Sequence, residues 1–333
     1  MKKFYSIIIL LNLILIISCG TPNDPDSIIG GDGGYKIVGK HITSGYAQDI
    51  VVQNNFAFIA QDEGGLIIFD VSNSKTPVEV SRLTQQLKGN VHKIAIKDSF
   101  VFLAADAFGM SYVNISDPRN PQDIWTNVNP KPAKGLEIMA NFLFTATGNE
   151  GFQITDITNP YAPELRGKTI TQGFAQNVCI SPDSNYLLVA CGEMGFELYD
   201  ISQIGSGSGS YPMTDWIDTP GYAEDVIPHP TLPYAFIASG TGGLQIADYS
   251  DSLNIKIVGS YNTGGYAKEV FYKESKVYIT TELRGLQIID VSDVTSPIRI
   301  GTVQTEYAMG LFVEENYVYV ADEIEGLIII SVP

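Results

Sequence analysis

A single unit recurs seven times along this chain, at intervals of about 41 to 48 residues, and a repeat of that length limits the fold more than any other feature. Its clearest openings are Gly45-Tyr46-Ala47-Gln48-Asp49-Ile50, Gly173-Phe174-Ala175-Gln176-Asn177-Val178, Gly221-Tyr222-Ala223-Glu224-Asp225-Val226 and Gly265-Tyr266-Ala267-Lys268-Glu269-Val270. Looser copies are Asn90-Val91-His92-Lys93-Ile94, Pro132-Ala133-Lys134-Gly135-Leu136 and Tyr307-Ala308-Met309-Gly310-Leu311. After each comes an apolar run rich in aromatic and β-branched residues, such as Phe56-Ala57-Phe58-Ile59-Ala60. A polar loop leads to a third run, as in Leu66-Ile67-Ile68-Phe69-Asp70, and a Ser/Asn/Asp/Pro turn leads to a fourth, as in Pro77-Val78-Glu79-Val80. The runs have strand length and strand composition and show no helical period. Four strands per unit make a blade, and seven blades predict an all-β, seven-bladed β-propeller with four antiparallel strands per blade.

The two ends of the repeat array predict how the ring closes. The last copy stops at Leu327-Ile328-Ile329-Ile330-Ser331, its third strand, so a fourth is missing. It reappears at the other end, where Tyr35-Lys36-Ile37-Val38-Gly39 matches Ile255-Lys256-Ile257-Val258-Gly259. The N-terminal strand is therefore expected to complete the last blade and cover the open edges. The propeller is expected to span 35–333.

The third strand, Leu-x-Ile-x-Asp, followed by a Val/Ile-Ser-Asp/Asn turn, resembles the LVIVD repeat family over about 35–333. The resemblance implies a propeller found in exported bacterial proteins and carries no particular activity with it. The pattern departs at Asn114 and Ser331, which stand where the aspartate should be, and those blades are expected to need another turn partner.

The N-terminus reads as a lipoprotein leader over 1–18: Met1-Lys2-Lys3, an apolar run from Ile7 to Ile17 broken by Asn12, then Ile16-Ile17-Ser18-Cys19-Gly20. These last residues resemble the bacterial lipobox, which makes Cys19 the expected acylated residue and the membrane anchor. The run is too short for a permanent span. Residues 19–34, with Pro22, Pro25 and Gly30-Gly31-Asp32-Gly33-Gly34, read as a flexible tether. Gly20 is not an aspartate and gives no inner-membrane retention signal, so the outer membrane or the cell surface is the expected destination. Loss of Lys2 and Lys3 with the leader takes the formal charge from −17 to −19. Such a surface repels phosphate backbones and argues against nucleic acid as a partner.

Two cysteines remain. If 181–185 form a hairpin turn, Cys179 sits opposite about residue 188, and Cys191 lies roughly 10 Å further along, beyond the reach of a disulfide. Two free, buried thiols are expected.

Candidate chemistry is sparse. Asp70, Asp156, Asp200, Asp248 and Asp290 each end a strand before a turn, where a carboxylate accepts backbone N–H bonds, and one acid per repeat does not make a calcium loop. Tyr46, Phe174, Tyr222, Tyr266 and Tyr307 open five inner strands, with Asn90 and Pro132 in the other two, and form either inter-blade packing or an aromatic platform. Loops on the same face carry Asp62, Glu63, Asp106, Glu150, Glu193, Glu282, Asp322, Glu323 and Glu325, an acidic rim. Near the centre the inner strands offer non-equivalent polar residues: Asp49, His92, Lys93, Lys134, Gln176, Asn177, Glu224, Asp225, Lys268 and Glu269. His41 and His229 fall at a strand end and in a Pro-rich turn, while His92 alone is placed centrally, with Asp49 or Glu224 as carboxylates across the axis. No spacing suggests a metal site, a cofactor or a nucleophile-base pair. The alternating Gly and Ser of 205–210 read as a flexible insertion, with no lysine to make a phosphate loop.

The preferred expectation is a non-catalytic, lipid-anchored binding or scaffold protein of the cell envelope, whose top face holds a protein or peptide partner, with a glycan as a second ligand class. The candidate binding face comprises Tyr46, Asp49, His92, Lys134, Phe174, Gln176, Tyr222, Glu224, Asp225, Tyr266, Lys268 and Tyr307. The rival expectations are a polysaccharide-active enzyme with carboxylates facing each other in the central funnel, and a structural subunit of an envelope assembly whose distinctive surface is a sheet edge or blade flank.

Overall fold

The computed structural model describes 31–333 except 64, 85, 86, 88 and 206–208. The leader, Cys19 and most of the tether therefore lie outside the described residues, as does the middle of the Gly/Ser insertion. Within them the chain forms twenty-eight strands in seven four-stranded antiparallel sheets and no helix.

The seven innermost strands are Tyr46–Gln53, Lys93–Lys97, Leu136–Met139, Asn177–Ile180, Asp225–Pro228, Val270–Lys273 and Ala308–Glu314, and they number blades 1 to 7. The second and third strands of each blade are apolar without alternation because both of their faces are covered. In blade 1, Phe58 and Ala60 point toward blade 2 and pack with Val101, Leu103 and Val113. Their neighbours Ala57 and Ile59 point the other way, onto Tyr319, Ala321 and Ile329 of blade 7. Among the described residues seven such apolar clusters exist, one between each pair of consecutive blades, so every blade interface is packed.

Closure follows the sequence pattern. Strand Lys36–His41 runs antiparallel to Gly326–Ser331, pairing Lys36 with Ser331 and His41 with Leu327, and becomes the outer strand of blade 7. Its bulge between Ile37 and Gly39 is repeated in the outer strands of the other blades, for example opposite Ile246 and Ala247 in blade 5. Gly39 follows the bulge because the Ser74 carbonyl of blade 1 occupies the space a Cβ would need. Gly259 meets the Val294 carbonyl of blade 6 in the same way. The matched Ile-Val-Gly triplets thus mark where one blade's lower loop seats on the preceding blade.

The strand-end acids are turn formers. Asp70 Oδ1 accepts from the Ser72 amide at 3.1 Å, and Asp156, Asp200, Asp248 and Asp290 do the same with Thr158, Ser202, Ser250 and Ser292. Asn114 needs no other partner, contrary to expectation, because its Oδ1 accepts from the Ser116 amide at 2.9 Å and from the hydroxyl at 2.7 Å. Cys179 pairs opposite Leu188, and both cysteines are free. Cys191 is buried, but Cys179 is only half-buried, since its strand is innermost and its side chain faces the axis.

Candidate functional site at the propeller axis

The top face carries the loops between second and third strands and the connections between blades. There five successive junctions, from blade 2 through blade 7, are tied by a β-bridge: Asp106 to Ala133, Gly148 to Ala175, Gly192 to Ala223, Gly240 to Ala267 and Glu282 to Ala308. The alanine at these five positions is small because the bridge brings two backbones together. Just after it, two residues oppose one on the second strand: the Lys134 amide donates to the Ala146 carbonyl, and the Ala146 amide donates to the Gly135 carbonyl. Lys268 and Glu269 stand opposite Thr280 in the same way, and the register shifts between Ala47 and Asp49 and between Ala308 and Gly310. This β-bulge turns two successive residues toward the axis.

Two tiers result. The upper tier, Gln48, His92, Lys134, Gln176, Glu224, Lys268 and Met309, lines an open vestibule of about 230 Å³. The lower tier holds Asp49, Lys93, Gly135, Asn177, Asp225, Glu269 and Gly310. Seven side chains do not fit at that radius, and two positions are glycine. A Cβ on Gly135 would lie 2.5 Å from Asn177 Cα, and one on Gly310 would lie 2.6 Å from Asp49 Cα. The five remaining side chains form a floor. Lys93 Nζ reaches Glu269 Oε1 at 2.8 Å and Asp49 Oδ2 at 3.6 Å. Asn177 Nδ2 donates to Asp225 Oδ1. The acids also brace the next blade, because Asp49 Oδ2 accepts from the Ile94 amide and Asp225 Oδ2 from the Val270 amide, each at 2.9 Å. Beneath the floor a second cavity of about 130 Å³ is lined mainly by apolar residues such as Val51, Ile227, Phe271 and Phe312, with Glu137 and Cys179.

Burial pushes the Glu269 carboxyl well above the usual carboxylate range, and Asp49 and Asp225 push the same way against Lys93. Burial also raises Asp49, against Lys93 and the backbone amides of Ile94 and Ile50, which lower it. Burial opposes the charge on Lys93, but Asp49, Glu269 and Asp225 outweigh it and hold the ammonium above its ordinary range. Burial and the nearby Lys134 lower His92, against Asp62 and Asp106, which raise it.

The candidate residues thus separate by height. His92, Lys134, Gln176, Glu224 and Lys268 line the vestibule. Asp49, at 2% exposure, and Asp225 lie in the floor rather than on a surface. The acid beside His92 is Asp106, at 3.9 Å from Nε2, not a carboxylate across the axis. Of the aromatic series, Phe174, Tyr222 and Tyr266 wedge against Gly148, Gly192 and Gly240 of the preceding blade, whose positive φ and missing Cβ leave room for the ring. Tyr222 also receives a bond from Gln176 Nε2, and Tyr266 donates to Glu224 at 2.7 Å. Burial and the neighbouring Glu282 push Tyr307 up to about 12. Tyr46 is 56% exposed at the rim.

The acidic rim is uneven. Asp106 pairs with Lys134, Glu150 with Lys168 and Glu325 with Lys40, while Asp322 is buried and accepts the amides of Tyr307, Ile324 and Glu325. The bulge is what sequence reasoning missed. Its signal is the pair of polar residues between the alanine and the next aliphatic in most copies, which breaks strand alternation.

LVIVD repeats match the chain at 44–85, 131–171, 233–263, 264–305 and 306–332, more than half of its length. The chain belongs to the LVIVD repeat family. Blades 2 and 4 of this LVIVD protein fall in the unmatched stretches, yet their strands and bulges equal those of the others. No curated protein matches the chain in sequence. Among solved structures it is similar to the computationally designed Ika8 protein, at 10% identity over 90% of this chain and 100% of that one, with a TM-score of 0.65. That likeness concerns the fold alone.

Proposed function

We propose that this LVIVD protein is a non-catalytic binding or scaffold protein of the cell envelope, anchored through lipid on Cys19, and that its top face holds a protein or peptide partner. The observation that carries the reading is the axial vestibule, which is open above, closed below by an ion-paired floor, and lined by seven positions that differ from blade to blade. A repeat under purely structural demand keeps equivalent positions alike, as the bridging alanines do; the vestibule residues diverge instead. The carboxylates there serve other partners: Glu224 is held by Tyr266 and Lys268, and Glu269 and Asp49 by Lys93. These commitments favour binding over acid-base work on a glycoside. Orientation also favours binding. Residues 31–35 turn on the bottom face, where the Tyr35 amide donates to the Asp32 carbonyl and Gly34 abuts Pro333, so the chain leading back toward Cys19 leaves from the face opposite the vestibule.

The test is capture from envelope extract with the full chain in detergent, beside a variant carrying Gln48→Ala, Lys134→Met, Glu224→Gln and Lys268→Met. Loss of a captured partner in a variant of unchanged circular dichroism supports the reading. Retention of every partner by the variant moves the function to a blade flank, and turnover of a polysaccharide by the wild type refutes the non-catalytic assignment.

A further inference from the structure

Three rim acids without an ion pair gather where the ring closes, at the seam of blades 7 and 1. A cavity of about 500 Å³ lies there, lined by Thr43, Ser44, Gly45, Tyr46, Asp62, Glu63, Glu323 and Ile324, with no basic side chain in its walls. Asp106 and Glu150 elsewhere on the rim have lysine partners, and Glu325, in the same loop as Glu323, has Lys40, but none of the ion pairs formed among the described residues reaches Asp62, Glu63 or Glu323. The Arg82 guanidinium touches Ser44 Oγ at 3.0 Å and is already committed to both oxygens of Glu79. One oxygen of Asp62 is buried without a hydrogen-bond partner. Burial, then Asp62, Glu282 and Asp322, push the Glu323 carboxyl upward and outweigh Lys268, which lowers it.

A second, separate feature meets the first here. Tyr46 and Ile324 line the cavity at 56% and 58% exposure, and Ile42, next to Thr43 of its wall, is 76% exposed. Large apolar side chains held in water beside unpaired acids describe a surface complementary to something both apolar and cationic. A second copy of this chain carries the same negative sign and does not fit.

We infer that the seam cavity binds a basic, apolar-flanked peptide segment: a Lys or Arg side chain enters among Asp62, Glu63 and Glu323 while neighbouring apolar residues rest on Tyr46, Ile42 and Ile324. The inference rests on the top-face reading and names the partner's chemistry at one end of that face. Two contacts of different physical kind make it selective, since charge alone admits any polycation and apolar contact alone admits any greasy surface.

The test uses fluorescence anisotropy of the full chain in non-ionic detergent with three labelled decapeptides: alternating Arg and Leu, alternating Glu and Leu, and alternating Arg and Ser. The Arg/Leu peptide is expected to bind, and the other two at least about tenfold more weakly. A charge-removed variant, Asp62→Asn with Glu63→Gln and Glu323→Gln, is expected to lose about tenfold, and Tyr46→Ser with Ile324→Ser a similar factor, both with unchanged thermal unfolding. Equal binding of Arg/Leu and Arg/Ser peptides overturns the inference, as does binding that survives both variants. Binding to phosphatidylcholine vesicles retained by the charge-removed variant overturns it too, assigning the apolar residues to a membrane. The vestibule variant above leaves this binding intact, so loss of envelope capture in that variant with peptide binding retained separates the two readings.

Discussion

Replacing Lys93 by methionine removes the cation from the layer that closes the channel while keeping most of the side-chain volume. In the native protein the ammonium lies 2.8 Å from Glu269 and 3.6 Å from Asp49, and Asp49 is buried. Removing one partner of a buried ion pair costs about 3–5 kcal/mol, because the other is left charged in a poor solvent. Two carboxyls are left here, and both escape by taking up protons. A carboxyl whose pKa is raised on folding binds more protons in the folded than in the unfolded chain between the two values, so stability falls as pH rises through the folded one. Lys93 lowers both Glu269 and Asp49, so its loss moves that window upward. Lys93→Met should therefore cost about 3–5 kcal/mol near pH 8 and clearly less near pH 5, at about 1.4 kcal/mol per unit for each proton taken up. Adding Glu269→Gln should return much of the loss at pH 8. Guanidinium unfolding followed by circular dichroism between pH 5 and 9 measures this directly. A loss that grows on acidification, or one below about 1 kcal/mol at pH 8, refutes the reading of the floor as a coupled ionic layer.

Further tests address other parts of the structure. Gly135→Ala and Gly310→Ala force a Cβ against backbone of the next blade and should each cost about 1–3 kcal/mol or more, read as a shift in unfolding midpoint; Gly264→Ala, whose Cβ meets nothing within 4 Å, controls for the added methyl but carries its own positive-φ strain. Asn114→Asp should be nearly neutral, whereas Asn114→Ala should lose about 0.5–1.5 kcal/mol with the turn bond to Ser116, measured the same way. Iodoacetamide at pH 8 should leave Cys179 and Cys191 unmodified until denaturant is added, because burial, with Glu137 and Glu197 nearby, pushes both thiols up; rapid alkylation of the folded chain, read by mass spectrometry, contradicts this.

The ring was legible because its cause is periodic. Every blade buries the same two strands on both faces, so each repeat spells the same apolar runs, and the displaced fourth strand at 35–39 is recognisable by its match to 255–259. The polar axis residues were legible as a set for the opposite reason, since they break the repeat. Their sorting into vestibule and floor was not. It depends on a bulge and on the narrowing radius at the axis, and both are properties of seven strands together. Thus Glu224 and Asp225 look alike in sequence, yet one lines an open cavity and the other braces the Val270 amide beneath it. The rim acids were read as one group for a similar reason: which of them meets a lysine, as Glu150 meets Lys168, is set by contacts across and between blades.

The proposal that the top face carries the function is tested most directly by a photo-crosslinking amino acid placed at Gln48 or Gln176 in the vestibule and, separately, at Asn54 or Ser74 on the bottom face. Illumination in intact cells should join the two top positions to a partner and leave the two bottom positions without one. Crosslinks from Asn54 and Ser74 alone would contradict it and turn the binding surface toward the membrane.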